Sequence, residues 1–218
     1  MRRISRTGAG LIASHEAIYL FTYIDAAGVP TDGVGNTKAA GTSTPRPGGK
    51  ITLASALATF ERNLEKFAAR VERNVRVPLE QHQFDPLVSF DFNTGAIDKG
   101  SVDDKLNRGD VAGALTTWGQ YVRAGGKVLR GLQTRRAEEI ALYRTGRYPV
   151  RGVLVKDAPN SAGRVVPASS LPWGAPDVKR EIDPSINAPL PPLPTPAPVR
   201  GSGNVLIDLA NYLWSLWK

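Results

Sequence analysis

The stretch "EAIYLFTYIDAAGVPTDGVGNT", residues 16–37, sets both the local fold and the chemistry open to this chain. β-Branched and aromatic residues run from Ile18 to Ile24, and Gly28, Pro30, Gly33 and Gly35 follow. Strand formers succeeded by turn formers predict a small hairpin over residues 18–36 rather than a helix. Into this segment the sequence sets Glu16, Asp25 nine positions later, and Thr31 six beyond that.

Two carboxylates and a hydroxyl so spaced have a chemical reading. Inverting glycoside hydrolysis needs a carboxylic acid that protonates the leaving oxygen and an opposing carboxylate that activates water. Glu16 at a helix end and Asp25 on a hairpin could face each other across a cleft, with Thr31 holding the water. An acid that keeps its proton near neutral pH needs partial burial, for which Ile12, Ile18 and Leu20 are at hand. The plainer reading makes Glu16 a surface residue and Asp25 and Thr31 turn residues. By composition alone, Glu-x8-Asp-x5-Thr arises in roughly a few per cent of chains this long.

Outward from this segment the chain is mostly helical. Ile4, Gly8, Leu11 and Ile12 predict a short amphipathic helix over residues 4–15, leaving Glu16 near its C-terminal end. Downstream, "TKAAGTSTPRPGGK" is a loop, and Thr52 can cap a long helix with a stripe of Leu53, Leu57, Phe60, Leu64, Phe67 and Val71. That helix must stop before Pro78. Pro86 is expected to break a helix begun at Glu80 and to delay its start to Asp85. Ser101 and Asp104 have capping-box spacing, and Asp110 caps a stripe of Val111, Leu115, Trp118 and Val122. "GLQTRRAEEIALYRTG" reads as a last helix ending at Gly146.

Beyond residue 150 little helical or strand periodicity remains. Residues 183–203 hold seven of the 17 prolines, a composition that favours an extended, semi-rigid spacer. The final segment, "NVLIDLANYLWSLWK", reads as a helix with Asp208, Asn211, Ser215 and Lys218 on one narrow polar stripe. Its length of about 22 Å is short of a bilayer core, and Trp214 and Trp217 suit a membrane interface. The same surface could instead dock on the enzyme or on a second copy. The expected organisation is a catalytic domain over residues 1–149, an irregular and Pro-rich linker over 150–203, and an apolar helix over 204–218.

A formal charge of +8 and a pI of about 9.9 favour polyanionic surfaces. The basic residues are scattered without a cluster or an aromatic ladder, which argues against nucleic acid as a partner. With no cysteine there is neither a disulfide nor a thiolate site, and with only His15 and His82 a His-rich metal site is not expected. The arginines of "MRRIS" are not followed by the apolar run of a signal peptide.

The stretch "HEAIYLFTYIDAAGVPTDGVGNT" resembles the active-site region of the phage-type lysozymes, glycoside hydrolase family 24. Glu16, Leu20, Tyr23, Asp25, Gly28, Thr31, Gly33, Gly35, Asn36 and Thr37 all fall in the family's register, and the likeness covers about residues 4–147. The resemblance implies a mainly α, α+β lysozyme-like domain with a small β-hairpin lobe and a cleft between its lobes. It implies Glu16 as general acid, Asp25 as the group that activates water, and Thr31 as its holder. It also implies an arginine of the last helix pairing with the acid, for which Arg135 is in register with Arg136 beside it. Asn93 matches a position that lines the sugar cleft, though a helix C-cap is an equal reading; Gly33 and Asn36 are supporting positions. No cofactor is implied. Three departures stand near the site: Ala17 replaces the usual glycine, Asp32 is a second acid beside Thr31, and Asn36 takes a place often held by histidine.

The activity so implied is an N-acetylmuramidase that cleaves the MurNAc-β-1,4-GlcNAc bond of peptidoglycan. As a phage or prophage endolysin, such a chain is expected to act as a monomer. It would wait in the host cytoplasm until a holin opens the way to the periplasm. Two competitors belong to other classes. A lytic transglycosylase cuts the same bond without water, which would leave Asp25 and Thr31 without a task. A non-catalytic wall-binding virion component would not need the intact set.

Overall fold

In the computed structural model, which describes residues 2–25, 28–99 and 101–173, the chain forms six helices, α1–α6, and seven strands, β1–β7, among the described residues. Helix α1 (Arg6–His15) starts at Ser5, whose hydroxyl accepts from the Gly8 N–H, and stops at Glu16, which has extended backbone. Strand β1 (Ala17–Ile24) leads directly away from Glu16. It turns through Asp25–Val29 into β2 (Pro30–Gly33) and β3 (Asn36–Thr37), completing the expected hairpin. Gly33 and Gly35 take φ of 58° and 64°, so this tight return needs residues without a Cβ.

The helices follow their caps and apolar stripes. The Thr52 hydroxyl accepts from Ser55 to begin α2 (Leu53–Asn74), and Leu57, Phe60, Leu64 and Val71 of the predicted stripe are fully buried. Asp110 accepts from Gly113 to begin α5 (Val111–Trp118), and α6 (Arg130–Thr145) ends at Gly146 with φ of 70°.

Two local expectations are corrected. Helix α3 (Gln81–Thr94) runs through Pro86 and does not begin at Asp85. Proline removes one intrahelical donor, but the Gln83 side chain closes the first turn by accepting from the Glu80 N–H at 2.8 Å. Phe84, Leu87, Val88 and Phe90, all buried, hold the helix against the core. At α4 (Val102–Asn107) Ser101 does not cap; its N–H is taken by Asp103 rather than Asp104, and its hydroxyl meets Tyr121.

The larger correction concerns residues after 149, where an irregular linker was expected. Residues 150–173 instead complete the domain. Strand β6 (Gly152–Lys156) pairs parallel to β1, with Ala17 opposite Leu154, and β7 (Arg164–Pro167) pairs antiparallel to β6. The sheet order is β3-β2-β1-β6-β7, five strands where a hairpin alone was foreseen, with a separate small β4–β5 ribbon (Arg123–Ala124, Lys127–Val128). The physical reason is strand alternation: Val153 and Val155 are fully buried in the same core as Ile12, Ile18 and Phe60, while Leu154 and Lys156 point to the other face. Trp173 then packs on this core, 6.5 Å from the Phe60 ring. The Pro-rich stretch 183–203 and the apolar segment 204–218 lie outside the described residues.

Helix α1 is pinned at its start by Asp85 of α3. This buried carboxylate accepts from the Ser5 N–H at 3.1 Å and the Ser5 hydroxyl, from Gln81 and from the Tyr148 hydroxyl at 2.6 Å. A Cβ at Gly8 would lie 2.5 Å from that carboxyl, so the approach requires glycine. With its start fixed, the other end of α1 delivers Glu16 to a definite place.

Candidate active site

Glu16 meets α6. Its Oε1 accepts from Arg135 Nη1 at 2.8 Å, with the Glu16 side chain 13% exposed and that of Arg135 4% exposed. Arg135 is held in turn: its Nε donates to Glu139 Oε1 at 3.2 Å, and its Nη2 lies 3.3 Å from both the carbonyl and the hydroxyl of Ser89. Glu139 is fully buried and gathers further donors. Ser89 Oγ donates at 2.6 Å and Trp118 Nε1 at 2.9 Å, and Arg136 pairs through Nε and Nη2 at 2.8 Å each. Two guanidiniums thus meet the buried Glu139 carboxylate in a low-dielectric pocket, with the Glu16 carboxyl at its edge, where an unmatched charge would be costly. Burial draws Arg136 down to about 10, well above neutral pH, so it stays charged.

Arg135 and Arg136 thus divide the work that a pair in sequence leaves open. Arg135 touches the candidate acid, whereas Arg136 turns inward to Glu139 and the face of Phe90, 5.3 Å from its ring centre. Since Arg135 occupies one Glu16 oxygen, the carboxyl is oriented, and its other oxygen is the one left to meet a substrate.

Asp25 and Thr31 form the second half of the site, built by local bonds. Asp25 Oδ1 accepts from the Val29 N–H at 2.8 Å, and the Asp25 N–H donates to the Val29 carbonyl at 3.0 Å. The Thr31 hydroxyl donates at 3.0 Å to Val29 O and lies 3.4 Å from Asp25 Oδ2. Both side chains are buried. Tyr23 ties this half to the first: burial raises its phenol far above the usual value, and the charges of Tyr19, Glu16 and Asp25 add to the shift.

The remaining predicted residues have quieter roles. Asn36 donates to Asp32 and to Ser43, each at 2.9 Å, and so holds the hairpin to its loop. Successive strand residues face opposite sides, so Asp32 points away from Thr31. Gly33 closes the hairpin opposite Tyr19. Asn93 is not a C-cap, since Gly95 with φ of 60° takes that place. It lies one turn beyond Ser89 on α3, buried, and its Oδ1 has no hydrogen-bond partner among the described residues. His15, next to Glu16, turns toward Glu138 of α6 and away from proton transfer, with Nε2 3.4 Å from Glu138 Oε2. The cavity of about 380 Å³ lined by Arg3, Arg6, Glu61 and Arg62 contains none of these residues.

Sequence reading missed Glu139, Ser89 and Trp118. Their signal, an Arg-x3-Glu step within one helix, is too common to single out without knowing which face of α6 is buried.

Residues 13–139 match the family model described as Phage lysozyme. The chain belongs to the phage lysozyme family. The matched span includes Glu16, Asp25, Thr31, Asn93, Arg135 and Glu139, and ends before β6. Among relatives, the endolysin of Bacillus phage PZA is 34% identical over 149 residues, covering 66% of this chain and 56% of that protein, so this chain spans little more than half of it. The SAR-endolysin of Escherichia phage Mu is 37% identical over 135 residues, covering 59% of this chain and 73% of that protein. Among solved structures, the muramidase domain of SpmX from Asticaccaulis excentricus superposes with a TM-score of 0.60 at 32% identity, covering 66% of this chain and 99% of that one. The phage lysozyme fold, α+β with helices dominant, is that of this chain.

Proposed function

We propose that this phage lysozyme family member is an endolysin-type peptidoglycan hydrolase, an N-acetylmuramidase that cleaves the MurNAc-β-1,4-GlcNAc bond with inversion. The observation that carries the reading is the Glu16–Arg135 contact at 2.8 Å, in a chain that also holds an Asp25–Thr31 pair in the family's register. Glu16 gives its proton to the glycosidic oxygen as the bond from the anomeric carbon breaks. Asp25, with Thr31, holds a water on the other side of the ring and takes its proton as the water oxygen bonds to that carbon. Arg135 orients Glu16, and Asn93, in the family's register, lines the sugar cleft. Gly33 and Asn36 shape the hairpin. The reaction uses no cofactor.

Lysis of a host cell by a phage or prophage fits this activity. In that role the chain waits in the host cytoplasm, reaches the periplasm through a holin-made opening and works as a monomer on peptidoglycan. Its net charge of +8 favours anionic wall polymers, so activity falls as salt rises. No helix of the described residues is long and apolar enough to cross a membrane. The segment with Trp214 and Trp217 is proposed, from sequence alone, to lie in a membrane interface. Deleting residues 204–218 should abolish co-sedimentation with anionic liposomes and leave hydrolysis of purified wall intact.

The decisive experiment is mass analysis of fragments from purified peptidoglycan, with the anomeric form of the fresh ends followed by NMR. Reducing muramic ends of inverted configuration are expected. Retained configuration overturns the inverting step. Anhydro ends identify a transglycosylase, and no release identifies a wall-binding module.

A further inference from the structure

The catalytic reading leaves one cluster unused, and it bears on Glu16 itself. Glu138 sits on α6 between the Arg135–Arg136 pair and the end of the helix, next to Glu139. Its Oε2 lies 3.4 Å from His15 Nε2, and its Oε1 accepts from Arg151 Nε at 3.1 Å and from Arg151 Nη2. Burial works to raise Glu138, but the nearby His15 and the Arg151 guanidinium outweigh it and hold the carboxyl below its usual value, ionised. His15 is only 8% exposed. Arg151 immediately precedes β6, a strand beyond the residues that match the family.

The same short segment acts twice on the chain around Glu16. The residue before, His15, lies with its Nε2 3.4 Å from Glu138, the carboxylate that Arg151 holds. The residue after, Ala17, stands opposite Leu154 in the parallel β1–β6 register. Glu16 is thus bracketed by residues 151–154, while Arg135 holds its side chain.

We propose that Arg151, Glu138 and His15 form a positioning brace for Glu16, which makes the β6–β7 extension part of the catalytic unit rather than an appendage to it. The brace rests on the reading of Glu16 as the acid. Its members touch neither substrate nor reacting atoms; they act through the placement of Glu16. Misplacing a catalytic group by about 1 Å can cost 10²-fold in rate, so a loosened brace is read in turnover. The Arg151–Glu138 pair is partly exposed, its side chains 34% and 22% accessible, so its loss should unfold little of the protein.

The test uses the full chain with Glu138→Gln, Arg151→Gln, the conservative Arg151→Lys, the double Glu138→Gln/Arg151→Gln, and Glu16→Gln as reference. Turnover and KM on purified peptidoglycan are measured where every variant is fully folded by circular dichroism. Both single Gln variants are expected to lose roughly tenfold in kcat with KM within about twofold. Arg151→Lys should recover most of that loss. The double variant should lose no more than the worse single one, because both remove one connection. Unchanged kcat in the single variants, beside an inactive Glu16→Gln, overturns the brace and leaves the catalytic reading standing. A loss that appears only in KM, or only in step with the folded fraction, also overturns it. Wild-type turnover in Glu16→Gln overturns the reading beneath it.

Discussion

The two halves of the site are held in opposite ways. Glu16 is fixed by partners far away in sequence: Arg135 is 119 positions on, and Arg135 is itself set by Ser89 and Glu139. Asp25 and Thr31 are fixed by Val29, within six positions of one another. The candidate acid therefore depends on the whole domain, whereas the Asp25–Thr31 pair depends on one turn. Damage to the helical core should be felt at Glu16 first, and damage to the hairpin at Asp25 alone.

The most severe way to break this contrast is Glu139→Gln. It leaves Arg135 and Arg136 short of one buried counter-charge, and removing one partner of such a set costs about 3–5 kcal/mol. Chemical denaturation should show that loss, together with inactivity. A change in stability below about 1 kcal/mol would mean that Glu16 does not depend on the buried cluster.

Asp91 sharpens the same comparison, as a buried carboxylate in the helical half with a poorer set of partners. Burial pushes it up to about 6, against the pull of Arg70 and the Ile97 N–H. A folded value above the unfolded 3.8 means that its stabilising effect is complete below pH 3.8 and fades as pH rises through about 6. That window corresponds to a loss on the order of 3 kcal/mol. In Asp91→Asn the fall between pH 4 and 6 should disappear from the denaturation curves.

For catalysis, Glu16→Gln keeps the shape and loses the proton donor, so clearing of permeabilised Gram-negative cells should fall 10²-fold or more, about 2.7 kcal/mol. A folded variant with more than about a tenth of wild-type activity removes Glu16 as the acid. The smallest effect is expected at the locally built half. Thr31→Val removes one hydroxyl and should reduce kcat about tenfold while stability changes by about 1 kcal/mol. Thr31→Ser, which keeps the hydroxyl, should behave nearly as wild type. An equal collapse of folding in Thr31→Val would show that the hairpin is no more self-sufficient than the acid's pocket.

The same difference explains what the sequence made legible. The placing of Glu16 at a helix end and of Asp25 and Thr31 on a hairpin, and the caps at Thr52, Asp110 and Gly146, could be read because each depends on short spacings or on local backbone chemistry. Arg135 was found through family register, and only the fold separates it from Arg136. Glu139 could not be found, since burial of a glutamate is decided by α3 and α5 packing on α6. Strands β6 and β7 were missed because Val153 and Val155 alternate over only one short run, framed by glycine, proline and serine that argue for a loop. The partner of β6, β1, lies more than a hundred residues earlier. Pro86 misled for a related reason: a local rule against helix was overruled by the burial of the face around it.

Strand β7 carries one more consequence, for self-association. It closes one side of the sheet in four residues and ends at Pro167, while β3 closes the other side in two residues. Proline offers no N–H to a neighbour, and Arg164 brings a charge, paired with Asp157, to the start of the same strand. Neither margin of the sheet therefore presents a long ladder on which a second chain could add. Among the described residues, the sheet is therefore edged against joining end to side with a second copy.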